Sequence, residues 1–171
     1  MVRSACRAFA LAAALLAGAA PAQVPPNTEA RILATPNDVA AYIDAAQSEL
    51  LISAYMLRVQ AIAEAVRRAV VERGVQTYIL TTEAGLHEGA SYAKSLALAG
   101  AFVRSGYANA DLVIVDRYYV VQGPLVGVQS MPEGMEPTFA MSGSEYASTF
   151  VTLFIDLFNA ANPYDPREVA R

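Results

Sequence analysis

Apolar and polar positions along this chain fall into blocks whose period switches between two and about 3.6, the mark of strands interleaved with helices. Residues 31–34 (RILA) predict a short strand. Thr35-Pro36-Asn37-Asp38 then supplies a capping hydroxyl, a proline at the first helical position and a carboxylate three residues after the cap, so the amphipathic run 39–47 is expected to be helical. A β-rich apolar run, 49–55 (ELLISAY), precedes a second helix over 61–73, whose Ile62, Ala65, Val66, Ala69 and Val70 share a face and which Gly74 closes. Residues 75–81 (VQTYILT) predict the third strand, 82–88 a loop at its carboxyl end, 89–99 a helix with Tyr92, Leu96 and Ala99 inward, and 101–104 a fourth strand.

The centre of the pattern is residues 105–128. Leu112 to Val115 is a continuous apolar run that ends in Asp116-Arg117, and a second β-rich run, 118–121, leads to Gly123-Pro124. A strand apolar on both faces, closed by a charged turn and answered by another strand, predicts a strand pair in the middle of a sheet. Residues 129–137 are expected to be a loop and 138–141 an edge strand. The last helix opens at Ser144, with Tyr146, Phe150, Leu153, Phe154, Leu157 and Phe158 as an aromatic-aliphatic stripe suited to core packing. The alternation predicts an α/β fold with a mixed, mostly parallel sheet and helices on both faces.

The N-terminus stands outside this pattern. Arg3 and Arg7 precede the small apolar run Ala8 to Ala20, and the segment closes with Ala20-Pro21-Ala22. This is the layout of a secretory signal peptide over residues 1–22, with export to a periplasm or the exterior as its consequence. Thirteen residues dominated by alanine are short for a membrane span, so no transmembrane segment is expected after cleavage. Residues 23–29 then form a flexible lead, 30–160 the domain and 161–171 a tail. Cys6 is the only cysteine, so the mature chain would carry neither a disulfide nor a cysteine-based metal site. Removing Arg3 and Arg7 from 12 basic residues leaves 10 against 16 acidic ones, a net charge of −6 where the whole chain has −4. That balance argues against a nucleic-acid binder working by phosphate neutralisation.

Candidate chemistry is sparse. No glycine-rich phosphate loop is present. Ser142-Gly143-Ser144 has no histidine placed to activate a serine. His87, the only histidine, sits in the expected loop 82–88. Asp111, Asp116, Glu133 and Glu136 would suit a divalent cation if they converged, and would suit plain solvation otherwise. Asn109, Asp111 and Asp116 flank the central strand, where open α/β sheets commonly place their sites.

The order of these phrases resembles the phospholipase D superfamily, in particular its short, single-motif secreted members. ELLISAYML followed by IAEAVRRAVVERGVQTYIL is similar to that family's first strand, the helix ending in an A-x-x-R-G-V turn, and the next strand. LVIVDRYYVVQGP is similar to the strand-turn-strand that carries the H-x-K-x-x-x-x-D motif, and EYASTFVTLFIDLF to the closing helix. The resemblance spans about residues 30–159. Asp116 matches the motif aspartate, but the lysine position holds Asp111 and the histidine position Asn109. Of the Gly-Ser that follows the motif, Gly123 is kept and Pro124 replaces the serine; Glu136 corresponds to a downstream glutamate.

In the family's chemistry the histidine attacks phosphorus, a second histidine from a paired half or partner chain protonates the leaving group, and the lysine neutralises phosphate oxygens. An asparagine amide can neither attack nor titrate near neutrality, and aspartate for lysine reverses the local charge. The resemblance therefore implies a degenerate motif. It points to an exported binding or interaction protein without the usual catalytic residues and without a cofactor or metal, whose ligand-binding positions are Asn109, Asp111, Asp116 and Glu136. As a one-motif chain it is expected to form a homodimer. The alternative is a hydrolase or phosphodiesterase using His87, or a metal held by Asp111, Asp116 and Glu136. Asp116 is also expected to accept hydrogen bonds from the turn at residues 117–119.

Overall fold

The computed structural model describes residues 30–108, 110–128 and 134–167. The expected signal segment and lead lie outside the described residues. In chain order the elements are β1 (Arg31–Leu33), α1 (Pro36–Asp44), β2 (Glu49–Ala54), α2 (Gln60–Arg73), β3 (Gln76–Thr81), α3 (Glu83–His87), α4 (Ala93–Ala99), β4 (Phe102–Ser105), β5 (Leu112–Val115), β6 (Tyr119–Gln122), β7 (Thr138–Ser142), α5 (Ser144–Ala160) and β8 (Asn162–Pro163), with a single 3₁₀ turn at Pro124–Val126.

The strands form one sheet in the order β1-β7-β6-β5-β2-β3-β4-β8. It is mixed, as the alternation predicts. Its parallel part is confined to β2-β3-β4, joined by crossovers through α2 and through α3-α4. The other five pairings are antiparallel, so the sheet is less parallel than expected. The cause lies in the second half of the chain: after β4 the chain returns to pair β5 against β2, and β6 and β7 follow as consecutive antiparallel neighbours.

The central strands are apolar on both faces because both are covered. Leu50, Ile52 and Ala54 of β2, Ile79 of β3, and Val113 and Val115 of β5 pack with Val39, Ile43, Ile62, Val66 and Leu96 of α1, α2 and α4. Leu51, Leu80, Leu112, Ile114 and Val120 point the other way, onto Ala147, Val151, Phe154 and Phe158 of α5. Burying a side chain of this size contributes roughly 1.5–3 kcal/mol, so these two layers are the main favourable term of the fold. The stripe on α5 is rotated slightly from that expected: Phe154 and Phe158 are buried, whereas Leu153 is 45% exposed.

Local signals account for the helix ends. Thr35 and Asp38 make the expected capping box of α1, with Asp38 Oδ2 accepting from the Thr35 amide at 2.9 Å. That backbone bond, followed by the one from the Thr35 hydroxyl, holds the Asp38 carboxyl below its ordinary range. Gly74 ends α2 at φ 69°. α4 begins later than expected because Glu88 and Ser91 close a turn and the Tyr92 amide donates to the Leu57 carbonyl at 2.7 Å, tying the helix start to the loop after β2. The expected loop at residues 82–88 contains α3, whose start is capped by the Thr82 hydroxyl accepting from the Gly85 amide at 2.9 Å. Residues 162–163, expected in the tail, instead extend the sheet as β8, and the Tyr164 amide donates to the Val103 carbonyl at 3.0 Å. Among the described residues no helix is long and apolar enough to cross a membrane.

Gly123 joins β6 to the 3₁₀ turn at φ 134°, a conformation that side chains rarely adopt. An added Cβ would stand 2.6 Å from the Thr138 Cα, a backbone atom that cannot swing aside. Gly123→Ala is therefore expected to lose more than about 2 kcal/mol in denaturant titration. Gly89→Ala is the control, since nothing lies within 4 Å of its added methyl; it should stay within about 0.5 kcal/mol of the parent.

Candidate functional site

β5 has two polar ends, and they belong to different edges of the sheet. Its carboxyl end carries Asp116-Arg117, which occupy the left-handed region at φ 50° and 54°. With the Tyr118 amide donating to the Val115 carbonyl at 2.9 Å, they form a tight hairpin turn into β6, in which Val115 pairs with Tyr119 across a three-residue loop. Asparagine and glycine are the usual residues here; aspartate tolerates the region, whereas arginine is strained by about 1 kcal/mol or more.

The Asp116 carboxylate accepts four hydrogen bonds across the sheet. Oδ2 takes the Gln47 amide at 2.9 Å, and Oδ1 takes the Ser48 amide at 2.8 Å, the Glu49 amide at 2.9 Å and the Ser48 hydroxyl at 2.8 Å. The Asp116 amide returns a bond to the Glu49 carbonyl at 2.9 Å. Arg117 adds a two-pronged ion pair to Glu49, with Nε to Oε2 at 2.7 Å and Nη2 to Oε1 at 3.1 Å. The structural role expected of Asp116 is present, with donors at residues 47–49, because the turn directs the side chain back toward the start of β2. Three of the four bonds fall on Oδ1 and one on Oδ2, so both oxygens are engaged by protein donors. Asp116 thus acts as a clasp between the β5–β6 turn and the start of β2.

The opposite end of β5 holds Asp111. β5 runs antiparallel to β2 with Leu112 opposite Ser53, so Asp111 lies at the carboxyl ends of the parallel strands. Four strand residues separate it from Asp116, roughly 17 Å at strand rise. A cation held jointly by Asp111, Asp116 and Glu136 is therefore excluded by the direction of the strand, and among the described residues no three acidic, histidine or cysteine side chains group to hold a metal.

Asp111 is half-buried, with Oδ1 accepting from the Tyr55 amide at 3.2 Å. Burial pushes its carboxyl up, and the Tyr55 amide opposes that only in part. It lines an open cleft of about 280 Å³ with Tyr55, Met56, Arg58, Gly127 and Val128. Arg58 is ion-paired with Glu88. Glu136 lies at this same edge, three residues before Phe139, whose strand partner is Gln122; its side chain is exposed. Asn109 falls outside the described residues, as does Glu133.

His87 stands on α3, beyond the carboxyl end of β3, and so shares the edge with Asp111. Its Nε2 lies 3.0 Å from Glu83 Oε1. The Ser105 hydroxyl and then His87 hold the Glu83 carboxyl below its ordinary range. Glu83 thus stands between the serine and the histidine, the wrong order for a histidine to activate a serine. Ser142-Gly143-Ser144 lies at the other edge, with Ser142 opposite Tyr119. Sequence reasoning missed Tyr55, Met56, Arg58, Gly127 and Val128. Tyr55 carried a signal, since it follows a parallel strand directly; Gly127 carried none.

The two aspartates make opposite contributions to stability with pH. For Asp116, burial alone would raise the carboxyl, but the amides of Glu49, Gln47 and Ser48 and the Ser48 hydroxyl together outweigh it and leave it lowered. A carboxyl lowered by folding stabilises fully above its unfolded value of about 4, and that stability is lost as pH falls through the folded value. Asp111, raised by folding, destabilises above its folded value and ceases to do so below about 4. Asp116→Asn is expected to lose about 2 kcal/mol or more at neutral pH and to show a flatter acid limb. Asp111→Asn should gain stability at neutral pH, with the gain shrinking toward pH ~3; urea titrations across that range check both signs.

No protein-family model and no curated protein matches this sequence. Solved structures do match. Nuc from Salmonella typhimurium, described as a phospholipase D family member, aligns over 81% of this chain and 99% of its own, at 22% identity and a TM-score of 0.69. NucT from Helicobacter pylori aligns over 81% and 100%, at 14% identity and 0.65. The phosphatidylserine synthase of Haemophilus influenzae aligns over 80% of this chain but 39% of its own, at 9% identity and 0.55. The first two share nearly their whole length with residues that here form one sheet covered by helices on both faces. This chain has the fold of the phospholipase D superfamily.

Proposed function

We propose that this protein is an exported binding or interaction protein that uses the phospholipase D fold without its phosphodiesterase chemistry. The observation that carries this reading is Asp111. At the position where the family motif places a lysine, a half-buried carboxylate faces the cleft. A phosphodiester entering there would meet negative charge in a partly desolvated site, where repulsion is stronger than in water. The residue two before it is Asn109, an amide with no lone pair basic enough to attack phosphorus at neutral pH. His87 does not replace the nucleophile, being committed to Glu83 on an exposed helix.

Export rests on the residue pattern of segment 1–22, and assembly rests on the single motif. In the family two motif halves face each other, so a one-motif chain would meet a second copy at the edge that carries Asp111. Tyr107 and Met135, each more than half exposed, belong to that edge and are apolar enough to be covered by a partner.

The test is an assay of the purified protein on a generic phosphodiester, such as bis(p-nitrophenyl) phosphate, with and without magnesium or manganese. The expected result is no turnover above the uncatalysed rate, unchanged in Asp111→Ala. Turnover that Asp111→Ala abolishes would overturn the reading. In the double variant Asn109→His with Asp111→Lys, appearance of phosphodiesterase activity would support the derivation of this cleft from a catalytic one.

A further inference from the structure

The cleft at Asp111 presents acceptors where a phosphate site presents donors. Asp111 Oδ1 is occupied by the Tyr55 amide, which leaves Oδ2 turned toward Gly127. A methyl group on Gly127 would stand 3.0 Å from Asp111 Oδ2 and 3.2 Å from the Met56 carbonyl oxygen. Two oxygens, one anionic and one a backbone dipole, therefore converge on the space beside a residue with no side chain. Tyr55, 53% exposed, is among the residues that line the cleft. The remaining charge in the lining, Arg58, is neutralised by Glu88. Among the described residues Asp111 has no cationic partner.

We propose that this cleft binds the protonated amine of a small organic ligand. An ammonium group has three donors and no acceptor. It would satisfy Asp111 Oδ2 and the Met56 carbonyl together, and would lie near an aromatic ring, whose face attracts cations. Charge-assisted hydrogen bonds to a partly desolvated carboxylate are the strong kind. A phosphodiester, having only acceptors to offer at neutral pH, would place oxygen against oxygen at the same point. The volume, about 280 Å³, lies at the lower end of ligand pockets, which suits a small amine or one end of a longer one. Gly127 is part of the recognition because any side chain there would fill the space between the two acceptors. Its φ of −108° is ordinary, so the requirement is for room and not for backbone freedom.

This inference rests on the non-phosphodiesterase reading, but the two fail separately, because one is read as turnover and the other as binding. The experiment is a titration of the isotope-labelled protein with ethylammonium chloride, followed through the amide signals of Tyr55 and Gly127. Sodium chloride at equal ionic strength, tetramethylammonium chloride and sodium phosphate serve as the comparison arms. Saturable shifts with ethylammonium, weaker shifts with tetramethylammonium and none with phosphate are expected. Asp111→Asn should weaken ethylammonium binding about tenfold or more, the scale of one charge-assisted hydrogen bond. Gly127→Ala should do the same while leaving the Asp111 charge in place. Saturable binding of phosphate at these amides, no difference between ethylammonium and sodium chloride, or undiminished ethylammonium binding in both folded variants would each overturn the proposal.

Discussion

The Asp116 carboxylate is the constraint on which the arrangement of this molecule depends. β2 is the strand where the two halves of the sheet meet: it pairs in parallel with β3 on one side and antiparallel with β5 on the other. Its first residues follow directly from the end of α1, where the amides of Gln47, Ser48 and Glu49 would otherwise need water. Asp116 takes all three, and it does so from the hairpin that starts the antiparallel half. A one-residue slip of β5 against β2 would break this set and would also turn Val113 and Val115 onto the face of α5, so clasp and burial specify the same register. The strain of a left-handed Arg117 is tolerated because the same residue ion-pairs with Glu49 in two-pronged geometry.

The two ends of β5 show how separately structure and chemistry can vary along one short strand. At the Asp116 end, the residue that matches the family motif is satisfied entirely by protein groups, and its contribution is to folding. At the Asp111 end, the surroundings suit an acid: an amide donor from Tyr55, a carbonyl from Met56, and a glycine at position 127 that leaves its second oxygen accessible. A half-buried carboxylate without any donor would be an expensive state. The neighbourhood of Asp111 supplies one donor and keeps one oxygen open, which is the geometry of a group held ready for a partner.

The elements were legible where local chemistry and periodicity agreed. The Thr35-Asp38 box, Gly74 at the end of α2 and the doubly apolar 112–115 run each specify their structure within a few residues, and each is present. The antiparallel excess was not legible, because an alternating pattern of strands and helices does not record which neighbour β5 chooses; that depends on contacts across some 60 residues, such as Ile52 with Val113. α3 was hidden by its length and by Gly85, although Thr82 and Glu83 are an ordinary cap and first-turn acid. β8 was hidden because a two-residue edge strand containing proline has no periodicity to show. For the site, Asp111 could be singled out from the strand end it occupies, whereas Asp116 could not be separated from it without knowing that a four-residue strand points its two ends to opposite edges.

That separation also decides what kind of evidence the motif provides. In a linear motif all positions look equally tied to one function, so Asp116 would count for retained chemistry, and Asn109 and Asp111 against it. Placed on the sheet, Asp116 reports on register, whereas Asp111 lines the cleft at the other end of the strand. The match at Asp116 therefore carries information about the fold alone. Asp111 places a carboxylate at the end of β5 that lines a cavity. A protein under constraint only to keep its fold would hold Asp116 fixed and leave position 111 free to become any residue that tolerates half-burial, most cheaply an apolar one. What stands there is a carboxylate with one oxygen anchored and the other facing Met56 and Gly127, the costlier choice for stability and the useful one for recognition.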